Sequence, residues 1–311
     1  QAGIATELFP LLIFVGVGAM IDFRPLLAQP RMVLLGAAGQ FGIYGTLILA
    51  VLLGFPMNEA ASIGVIGAID GPTAIFVTSQ VAPKLLGPVA VAAYSYMSLV
   101  PIIQPPIMKL MTTRKERLIR MEYAPIPVSR LAVVLFPIVV TVVVSLIAPD
   151  AAPLIASLML GNLIKEVGVV DRLSKSVQNE IINVSTLFLG LAIGATMTAS
   201  SFLFDPTTGI QWKTLMILGL GLLAFVIDTV AGLLFGKLMC VLSGFKINPL
   251  IGACGISAFP MSGRIAAKVA QDEDFSNFIL MHAMGSNTAG QLGSVIAGGL
   301  LLALVRGLGF G

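Results

Sequence analysis

Charged residues are scarce in this sequence. Asp, Glu, Lys and Arg together make up 11% of its 311 residues, against about 25% in a typical globular domain. Hydrophobic residues make up 57%, and the apolar runs at 31–54, 131–148 and 213–242 approach or exceed the roughly 20 residues that a helix needs to cross a bilayer. This composition excludes a soluble globular domain and predicts an all-α polytopic membrane protein.

Cysteine, histidine and the common catalytic motifs are also scarce or missing. Cys240 and Cys254 are the two cysteines, and they lack a CxxC spacing, so they are interpreted as small core residues rather than as a disulfide or zinc site. The single histidine, His282, has no carboxylate or cysteine nearby in the sequence, which favours a satisfied buried imidazole. Walker A, GxSxG and HExxH patterns are missing, so any chemistry is expected within the membrane.

The positive charge is unevenly distributed. A formal net charge of +3 is too small to indicate a nucleic-acid-binding protein. Five basic residues crowd the polar segment 112–130, namely Arg114, Lys115, Arg117, Arg120 and Arg130. By the positive-inside rule this segment is a cytoplasmic loop. Its more common role is to set the orientation of the chain, and docking of a soluble acidic partner is the alternative.

An internal repeat is the strongest pattern that the chain does contain. "IGVIGAIDGP" at 63–72 matches "IGACGISAFP" at 251–260, and the spacing stays constant from the pair Gly64 and Gly252 to the pair Ser98 and Ser286. Weak internal symmetry with Gly/Pro-interrupted apolar segments is typical of transporters whose binding site lies near the bilayer midplane. We therefore expect two related and inverted repeats, each with a broken helix, whose breaks meet near the midplane.

The repeat also predicts the domain organisation. Residues 1–111 form the first membrane repeat, 112–130 the basic cytoplasmic loop and 131–311 the second membrane repeat. Apolar elements are expected at 7–21, 31–54, 60–79, 85–110, 131–148, 153–164, 180–199, 213–242, 249–268 and 276–305, with breaks at 70–72 and near 260. Two elements present in the second repeat have no counterpart in the first, so equivalent elements are expected upstream of Gln1.

Asp70 is the leading candidate for a functional residue. A carboxylate at membrane depth costs at least about 2.5 to 3.5 kcal/mol, so it normally faces a cavity or a cation. Gly71 and Pro72 interrupt the helix, and the freed carbonyls of 67–69 together with the carboxylate predict a Na⁺ site. The alternative is that Asp70 only caps the helix that starts at Pro72. The rarity of purely capping carboxylates in membranes favours the cation.

The second break has its own polar residues. Asn248 and Ser257 can supply neutral oxygens to a cation. Arg264, seven residues after Ser257, lies near the same helical face. Arg264 either binds a carboxylate in bidentate fashion or extends to the membrane interface, and the sequence leaves both readings open.

Further polar residues lie on long apolar helices. Tyr96 is on a proline-rich segment that is expected to kink and to line a cavity, whereas a role as an interfacial anchor fits Tyr94 better. Asn287 lies among small residues, where an inter-helix hydrogen bond is the more common role and a ligand role the alternative. Asp228 is a second intramembrane carboxylate, and the sequence leaves open whether it pairs with a lysine or belongs to an ion pathway.

Four long segments resemble a known family. "DGPTAIF", "VAAYSYMSLVPIIQPPIMKLMTTRKER", "GNLIKEVGVVDRLS" and "NFILMHAMGSNTAG" are similar to the β subunit of the Na⁺-translocating, biotin-dependent decarboxylases. These are the oxaloacetate, methylmalonyl-CoA, malonate and glutaconyl-CoA decarboxylase pumps, whose β subunit has further N-terminal membrane segments. Departures from the family pattern occur in "GAIDGPTA", "SAFPMSGR" and "MGSNTAG". The variants "SAFPM" and "SNTAGQ" slightly favour glutaconyl-CoA decarboxylase as the parent complex.

The resemblance implies an activity and partners. A carboxyltransferase (α) subunit passes CO₂ from the substrate to biotin on a carrier subunit. The β subunit then decarboxylates the carboxybiotin, which consumes a proton and drives Na⁺ export. A small single-span membrane (γ/δ) subunit, a β homotrimer and a location in the bacterial cytoplasmic membrane are also implied.

The resemblance further implies two Na⁺ sites and a carboxybiotin pocket. The expected metal ligands are Asp70 with Asn248 in one site and Tyr96 with Ser257 in the other, with Gly252 in the same pocket. Tyr96 and Arg264 are the expected catalytic residues. Carboxybiotin is expected to contact Arg264 and Asn287.

Two other functions use the same sequence features. A stand-alone Na⁺-coupled secondary transporter or Na⁺/H⁺ antiporter needs repeats and broken helices equally. A membrane scaffold without activity fits poorly with polar residues at both breaks. Release of CO₂ from free carboxybiotin distinguishes the decarboxylase from both.

Overall fold

The computed structural model describes residues 6–121, 127–195, 197, 202, 204–205 and 209–309. In chain order the first helices are α1 (Leu8–Met20), α2 (Arg24–Ala28), α3 (Met32–Ala38), α4 (Phe41–Leu52), α5 (Met57–Gly64), α6 (Gly71–Val81), α7 (Leu86–Met111) and α8 (Arg114–Arg117). They are followed by α9 (Arg130–Ile147), α10 (Ala152–Val167), α11 (Asp171–Ser176), α12 (Ile182–Gly194), α13 (Trp212–Leu242), α14 (Met261–Glu273) and α15 (Leu280–Gly307).

Short elements connect these helices. 3₁₀ turns cover Val65–Ala68, Pro83–Leu85, Pro149–Ala151 and Pro249–Gly255, and a π-helical turn covers Val177–Ile181. Phe204–Asp205 pairs antiparallel with Gly209–Ile210.

Helical segments in the described part of the chain are long and apolar enough to cross a membrane. They are Met32–Leu52, Pro83–Met111, Arg130–Ile147, Asp171–Gly194, Trp212–Leu242 and Leu280–Gly307. α9 leaves Leu131, Leu146 and Ile147 exposed, as expected for side chains that face lipid rather than water. The all-α polytopic membrane class predicted from the composition is confirmed.

The predicted element 31–54 contains a break that the sequence did not indicate. It was expected as a single element, whereas the chain leaves helical geometry at Gly39 and Gln40, between α3 and α4. A Cβ added at Gly39 would lie 2.2 Å from the carbonyl oxygen of Gly255. Since only glycine permits so close an approach, the break follows from packing against a distant segment.

The first break, residues 65–70, begins earlier than the sequence indicated. α5 tightens into the 3₁₀ turn at Val65, Ile69 has a φ of 53°, and Asp70 is extended. The expected break at 70–72 is therefore corrected, because Pro72 lies in the first turn of α6. A proline in the first helical turn loses no hydrogen bond, so it starts a helix there instead of interrupting one.

The second break, residues 249–260, is longer. The 3₁₀ turn Pro249–Gly255 leads to extended backbone at Ile256, and the next helix begins at Met261 after a cis peptide bond between Phe259 and Pro260. The two breaks contact each other, because the backbone N–H of Ser257 lies 3.4 Å from the carbonyl oxygen of Ala68. The relation between the two repeats, and their inversion, remain predictions.

α13 supports the second break through small residues. A Cβ added at Gly232 would lie 2.3 Å from the carbonyl oxygen of Gly252, and one added at Gly236 would lie 2.6 Å from that of Pro249. Gly232 and Gly236 are one turn apart, the spacing that lets backbones approach closely in membrane helices. The second break is thus held against the middle of the longest helix.

Candidate functional site

Asp70 is buried, with a 6% exposed surface, and neutral groups surround it. Its Oδ2 accepts hydrogen bonds from Thr73 Oγ1 at 2.6 Å, from Gln291 Nε2 at 3.0 Å and from Ser294 Oγ at 3.3 Å. Among the described residues no cationic side chain lies within ion-pair distance of it. Such donors stabilise a carboxylate without neutralising it, so its charge remains available to a cation or a proton. The prediction of a cation site at Asp70 is compatible with this environment.

A polar stripe on α15 contacts both breaks. Asn287, Gln291 and Ser294 follow each other at helical spacing, so they share one face. Gln291 and Ser294 bind Asp70 of the first break, whereas Asn287 Nδ2 donates to the carbonyl oxygen of Ile256 in the second break at 2.7 Å. The sequence interpretation included Asn287 and missed the other two. Their spacing from Asn287 was the available signal.

Three amide side chains bind the carbonyls of the second break. Gln104 on α7 donates to Ala253 O at 2.7 Å, and Gln40 donates to Gly255 O at 3.2 Å, alongside the bond from Asn287. Because α7, the α3–α4 break and α15 each supply one amide, the second break is fixed from three sides. Buried carbonyls outside a helix need such partners.

Two of these amide side chains use only their nitrogen in hydrogen bonds within the described part of the chain. Gln40 Oε1 and Asn287 Oδ1 are buried and have no hydrogen-bond partner among the described residues. Amide oxygens are suitable ligands for a hard cation. Asn287 therefore remains a candidate for a ligand, and Gln40, which the sequence interpretation missed, joins it.

Ser257 contacts the first break directly, and Tyr96 contacts α13, the helix that packs against that break. The Tyr96 hydroxyl donates to Leu218 O at 2.5 Å, and its ring lies against Gly221 of α13, beside Ile66. The Ser257 hydroxyl donates to the carbonyl oxygen of Ala68. The structure brings both residues to the first break, and their joint role as Na⁺ ligands stays a prediction.

Gly252 and Asn248 have contacts of a different kind. Gly252 packs against Gly232, as described above, so its lack of a side chain is required by packing. Asn248 Oδ1 accepts from the N–H of Leu250, and its Nδ2 donates to the carbonyl oxygens of Arg117 and Ile119 at 3.0 and 2.9 Å. These bonds attach Asn248 to the basic loop and to the start of the second break. Its assignment to the Asp70 site remains untested.

Arg264 lies on α14, one turn after the second break. It is exposed, and no ion pair or hydrogen bond of its guanidinium occurs among the described residues. An accessible, unpaired guanidinium suits the bidentate binding of a carboxylate. The position thus supports the anion-binding reading of Arg264.

His282 and Tyr94 are also placed by the structure. His282 is buried and its Nδ1 donates to Gln29 Oε1 at 3.1 Å, so one of the two ring nitrogens has the partner that the expected satisfied imidazole requires. The ring of Tyr94 lies against Gly71, because a Cβ added there would be 2.6 Å from Tyr94 Cζ. Tyr94 is therefore a neighbour of Asp70 and not only an interfacial anchor.

Ion pairs fasten the basic loop to α14. Arg117 Nη2 lies 2.6 Å from Glu273 Oε1, and Arg120 Nη2 lies 2.6 Å from Asp274 Oδ2. Hydrogen bonds from the Ser276 hydroxyl and from Arg120 lower the pKa of Asp274 to about 2. Asp274 is thus ionised at any physiological pH, and the pair with Arg120 persists.

Comparisons with known proteins agree with these features. A family described as "Na+-transporting oxaloacetate decarboxylase beta subunit" matches residues 1–305. The oxaloacetate decarboxylase beta chain of Klebsiella pneumoniae is 53% identical over 311 residues, which cover 98% of this chain and 70% of that protein.

Two relatives carry other substrate names. The methylmalonyl-CoA decarboxylase subunit beta of Veillonella parvula is 52% identical over 305 residues, covering 98% of this chain and 80% of that protein. The glutaconyl-CoA decarboxylase subunit beta of Acidaminococcus fermentans is 52% identical over 305 residues, covering 98% and 79%. The near-equal identities do not select one substrate.

Proposed function

Because the chain belongs to the family of β subunits of Na⁺-transporting decarboxylases, we propose that it decarboxylates carboxybiotin and couples this reaction to Na⁺ export. The observation that carries the proposal is the Asp70 carboxylate. It is buried beside the contact of the two breaks and held by neutral donors only. A site of this kind binds either a cation or a proton, and a pump requires the two to compete for the same site.

The competition provides the coupling. Na⁺ favours the ionised carboxylate of Asp70, whereas a proton removes the charge that holds the cation. Uptake of a proton for decarboxylation and release of Na⁺ are therefore linked at one group. Asn287 Oδ1 and Gln40 Oε1, the two buried oxygens without partners, support a second set of ligands at the other break.

Carboxybiotin is the proposed substrate, and it would bind at the accessible side of the second break. Arg264 would hold its carboxylate, since the guanidinium is exposed and unpaired. In the reaction the bond between the ureido nitrogen and the carboxyl carbon breaks, the electron pair stays on nitrogen, and a proton takes the place of the released CO₂. Tyr96 is the proposed source of that proton, and a site of low polarity favours loss of CO₂ from a desolvated carboxylate.

The partners follow from the same premise. The chain is a subunit of a decarboxylase complex, and we propose that a biotin carrier subunit, a carboxyltransferase (α) subunit and a small single-span (γ/δ) subunit complete it, with β forming a homotrimer in the bacterial cytoplasmic membrane. Glutaconyl-CoA decarboxylase remains the slightly favoured parent complex on the "SAFPM" and "SNTAGQ" variants. A stand-alone Na⁺-coupled transporter or Na⁺/H⁺ antiporter is the alternative.

The test uses the complete complex in proteoliposomes and measures CO₂ release from carboxybiotin together with ²²Na⁺ uptake. We expect Na⁺ to stimulate the wild-type reaction and Asp70→Asn to abolish the stimulation and the uptake, because the neutral amide cannot hold the cation. Asp171→Asn is the matched control, since Asp171 is an exposed carboxylate in the first turn of α11. Na⁺ flux without CO₂ release would instead establish the antiporter.

A further inference from the structure

A groove with apolar walls lies on the surface between α2, α3, α9 and α15. Its volume is about 460 Å³, which is within the range of cavities that hold a small ligand. We call it the lateral groove, and the lining residues used below are Pro30, Val33, Ala37, Phe136, Val144 and Leu300. Val33 and Leu300 are 50% and 39% exposed, so the groove is open to the surroundings of the protein.

The walls of the lateral groove suit a hydrocarbon chain. Of the described residues that line it, only Gln40 and Tyr44 have polar side chains. Gln40 uses its amide nitrogen on the second break, where it donates to Gly255 O at 3.2 Å. A ligand rich in hydrogen-bonding groups would lose its water in the groove without gaining partners, whereas an alkyl chain has no such groups to satisfy.

The length of the lateral groove matches one leaflet of a bilayer. On α9, Phe136, Val140 and Val144 line it at successive turns, which span about 12 Å at a rise of about 1.5 Å per residue. On α15 the lining extends from Ala289 to Leu300, which is about 16 Å. The hydrocarbon core of a bilayer is about 30 Å thick, so one leaflet is about 15 Å deep. The groove therefore has the length of one acyl chain.

The end of the lateral groove at Pro30 lies on the side of the basic loop. Arg24, six residues before Pro30, has its Nη2 2.5 Å from Glu166 Oε2. The carbonyl oxygen of the next residue, Val167, accepts a hydrogen bond from Arg130 at 3.2 Å. Arg130 is the last residue of the basic loop, which the positive-inside rule assigns to the cytoplasm. The groove thus leads from the cytoplasmic surface into the bilayer.

An arginine follows the groove residue at this surface. Arg31 comes directly after Pro30 and is exposed, and no ion pair or hydrogen bond of its guanidinium occurs among the described residues. A guanidinium binds phosphate in bidentate fashion. Basic residues at the cytoplasmic surface also attract anionic lipids. The phosphate of a lipid whose chain fills the groove lies at the level of this surface, where Arg31 is available to bind it.

We propose that the lateral groove binds one anionic phospholipid of the cytoplasmic leaflet, with an acyl chain along α9 and α15 and its phosphate on Arg31. The site shares one residue with the function proposed above, because Gln40 forms part of the wall and also holds Gly255 of the second break. A bound lipid therefore completes the packing around a residue that fixes the second break.

A membrane helix of another subunit, or of a second copy of this chain, fits the groove less well. A 20-residue helix is about 30 Å long and 10 to 12 Å wide, so only some of its side chains could enter a volume of about 460 Å³. An apolar helix also supplies no anion for Arg31, whereas a phospholipid supplies one at the membrane surface.

The experiment titrates the purified, delipidated complex with phosphatidylglycerol and counts the lipid bound per β chain by native mass spectrometry. The wild type should have one tight site per chain, and phosphatidylcholine should bind there more weakly. Arg31→Gln should weaken the binding of phosphatidylglycerol about five-fold, the effect of one basic residue near an anionic lipid. Arg172→Gln is the matched control and should change nothing, because Arg172 is an exposed arginine of α11 outside the groove.

A second pair of variants tests the acyl chain. Ala37 is exposed and lines the groove, so Ala37→Phe fills the space without entering the protein core and should abolish the tight site. Leu34→Phe is the control, because Leu34 is 53% exposed on the same helix and does not line the groove. A ligand of the folded state raises stability, so phosphatidylglycerol should raise the unfolding temperature of the wild type and not that of Ala37→Phe.

The outcomes decide the proposal. Loss of the tight site in Ala37→Phe, weaker binding in Arg31→Gln and no change in the two controls would support it. Unchanged binding in Ala37→Phe, equal wild-type affinity for the two lipids, or an equal loss in Leu34→Phe would overturn it. If Ala37→Phe does not assemble, Arg31→Gln decides, and unchanged affinity there also overturns the site. Because lipid binding is measured without turnover, failure of the proposed pump would leave these results unaffected.

Discussion

Replacement of Gly252 by alanine should destabilise the protein through steric overlap rather than through loss of a ligand. The new Cβ would lie 2.1 Å from the carbonyl oxygen of Gly232, 2.9 Å from its carbonyl carbon and 3.0 Å from Cα of Gly236. A carbon atom approaches a carbonyl oxygen to about 3.3 Å, so the second break must move from α13 by about 1 Å. All three contacts are with backbone atoms, so none of them can be relieved by a rotamer change.

The expected cost lies at the upper end of the range for overpacking, about 3 kcal/mol. Gly219→Ala is the matched control, because it lies on α13 with no atom within 4 Å of the added Cβ. There the higher helix propensity of alanine should stabilise the protein by up to about 1 kcal/mol. The two substitutions should change the stability in opposite directions, so the free energies of unfolding of the two variants should differ by about 3 to 4 kcal/mol.

The assay can use the buried thiols of Cys240 and Cys254. A maleimide fluorophore reacts with them as they become exposed during thermal unfolding, in Na⁺-free buffer. Gly252→Ala should unfold at a clearly lower temperature than the wild type and Gly219→Ala at an equal or higher one. An unchanged unfolding temperature for Gly252→Ala, combined with weaker Na⁺ binding, would refute the packing argument and favour a ligand role.

Two further predictions concern the basic loop. Asn248 and Asn277 each donate to the same two loop carbonyls, so either single alanine variant should cost less than about 1.5 kcal/mol. The double variant should cost more than the sum, in a thermal-unfolding cycle, because only then do the carbonyls lose every donor. The pair of Arg120 with Asp274 should contribute stability that is full above the ordinary Asp pKa of 3.8 and lost as pH falls towards 2, since the folded pKa is lowered to about 2. Unfolding temperatures measured from pH 5 downwards should fall more steeply in the wild type than in Asp274→Asn, and equal slopes would contradict the assignment.

The sequence predicted the membrane class and most helices because apolar length is a local property. α9 and α13, for example, are found within one residue of the expected 131–148 and 213–242. The break at Gly39 was missed because its cause is the carbonyl of Gly255, more than 200 residues away. A glycine in an apolar run carries no local sign of what approaches it.

The candidate site was predictable only where a residue was unusual for a membrane. Asp70 and Asn287 were found because a carboxylate and an amide are costly there. Gln291 and Ser294 were missed because each is unremarkable alone, and their contact with Asp70 depends on how α15 crosses the first break. Asn248 was predicted as a ligand from its residue type, and its bonds to the loop carbonyls of Arg117 and Ile119 could not be predicted because they depend on the fold. Its role as a Na⁺ ligand stays a prediction.

The second broken element, residues 249–273, is bonded to the basic loop at both of its ends. Asn248 binds the loop just before the element begins, and Glu273 and Asp274 bind it where the element finishes. The element between these contacts is therefore attached to the same loop at two points. A soluble partner that displaces the loop would therefore act on this element at two points, one on each side of Arg264.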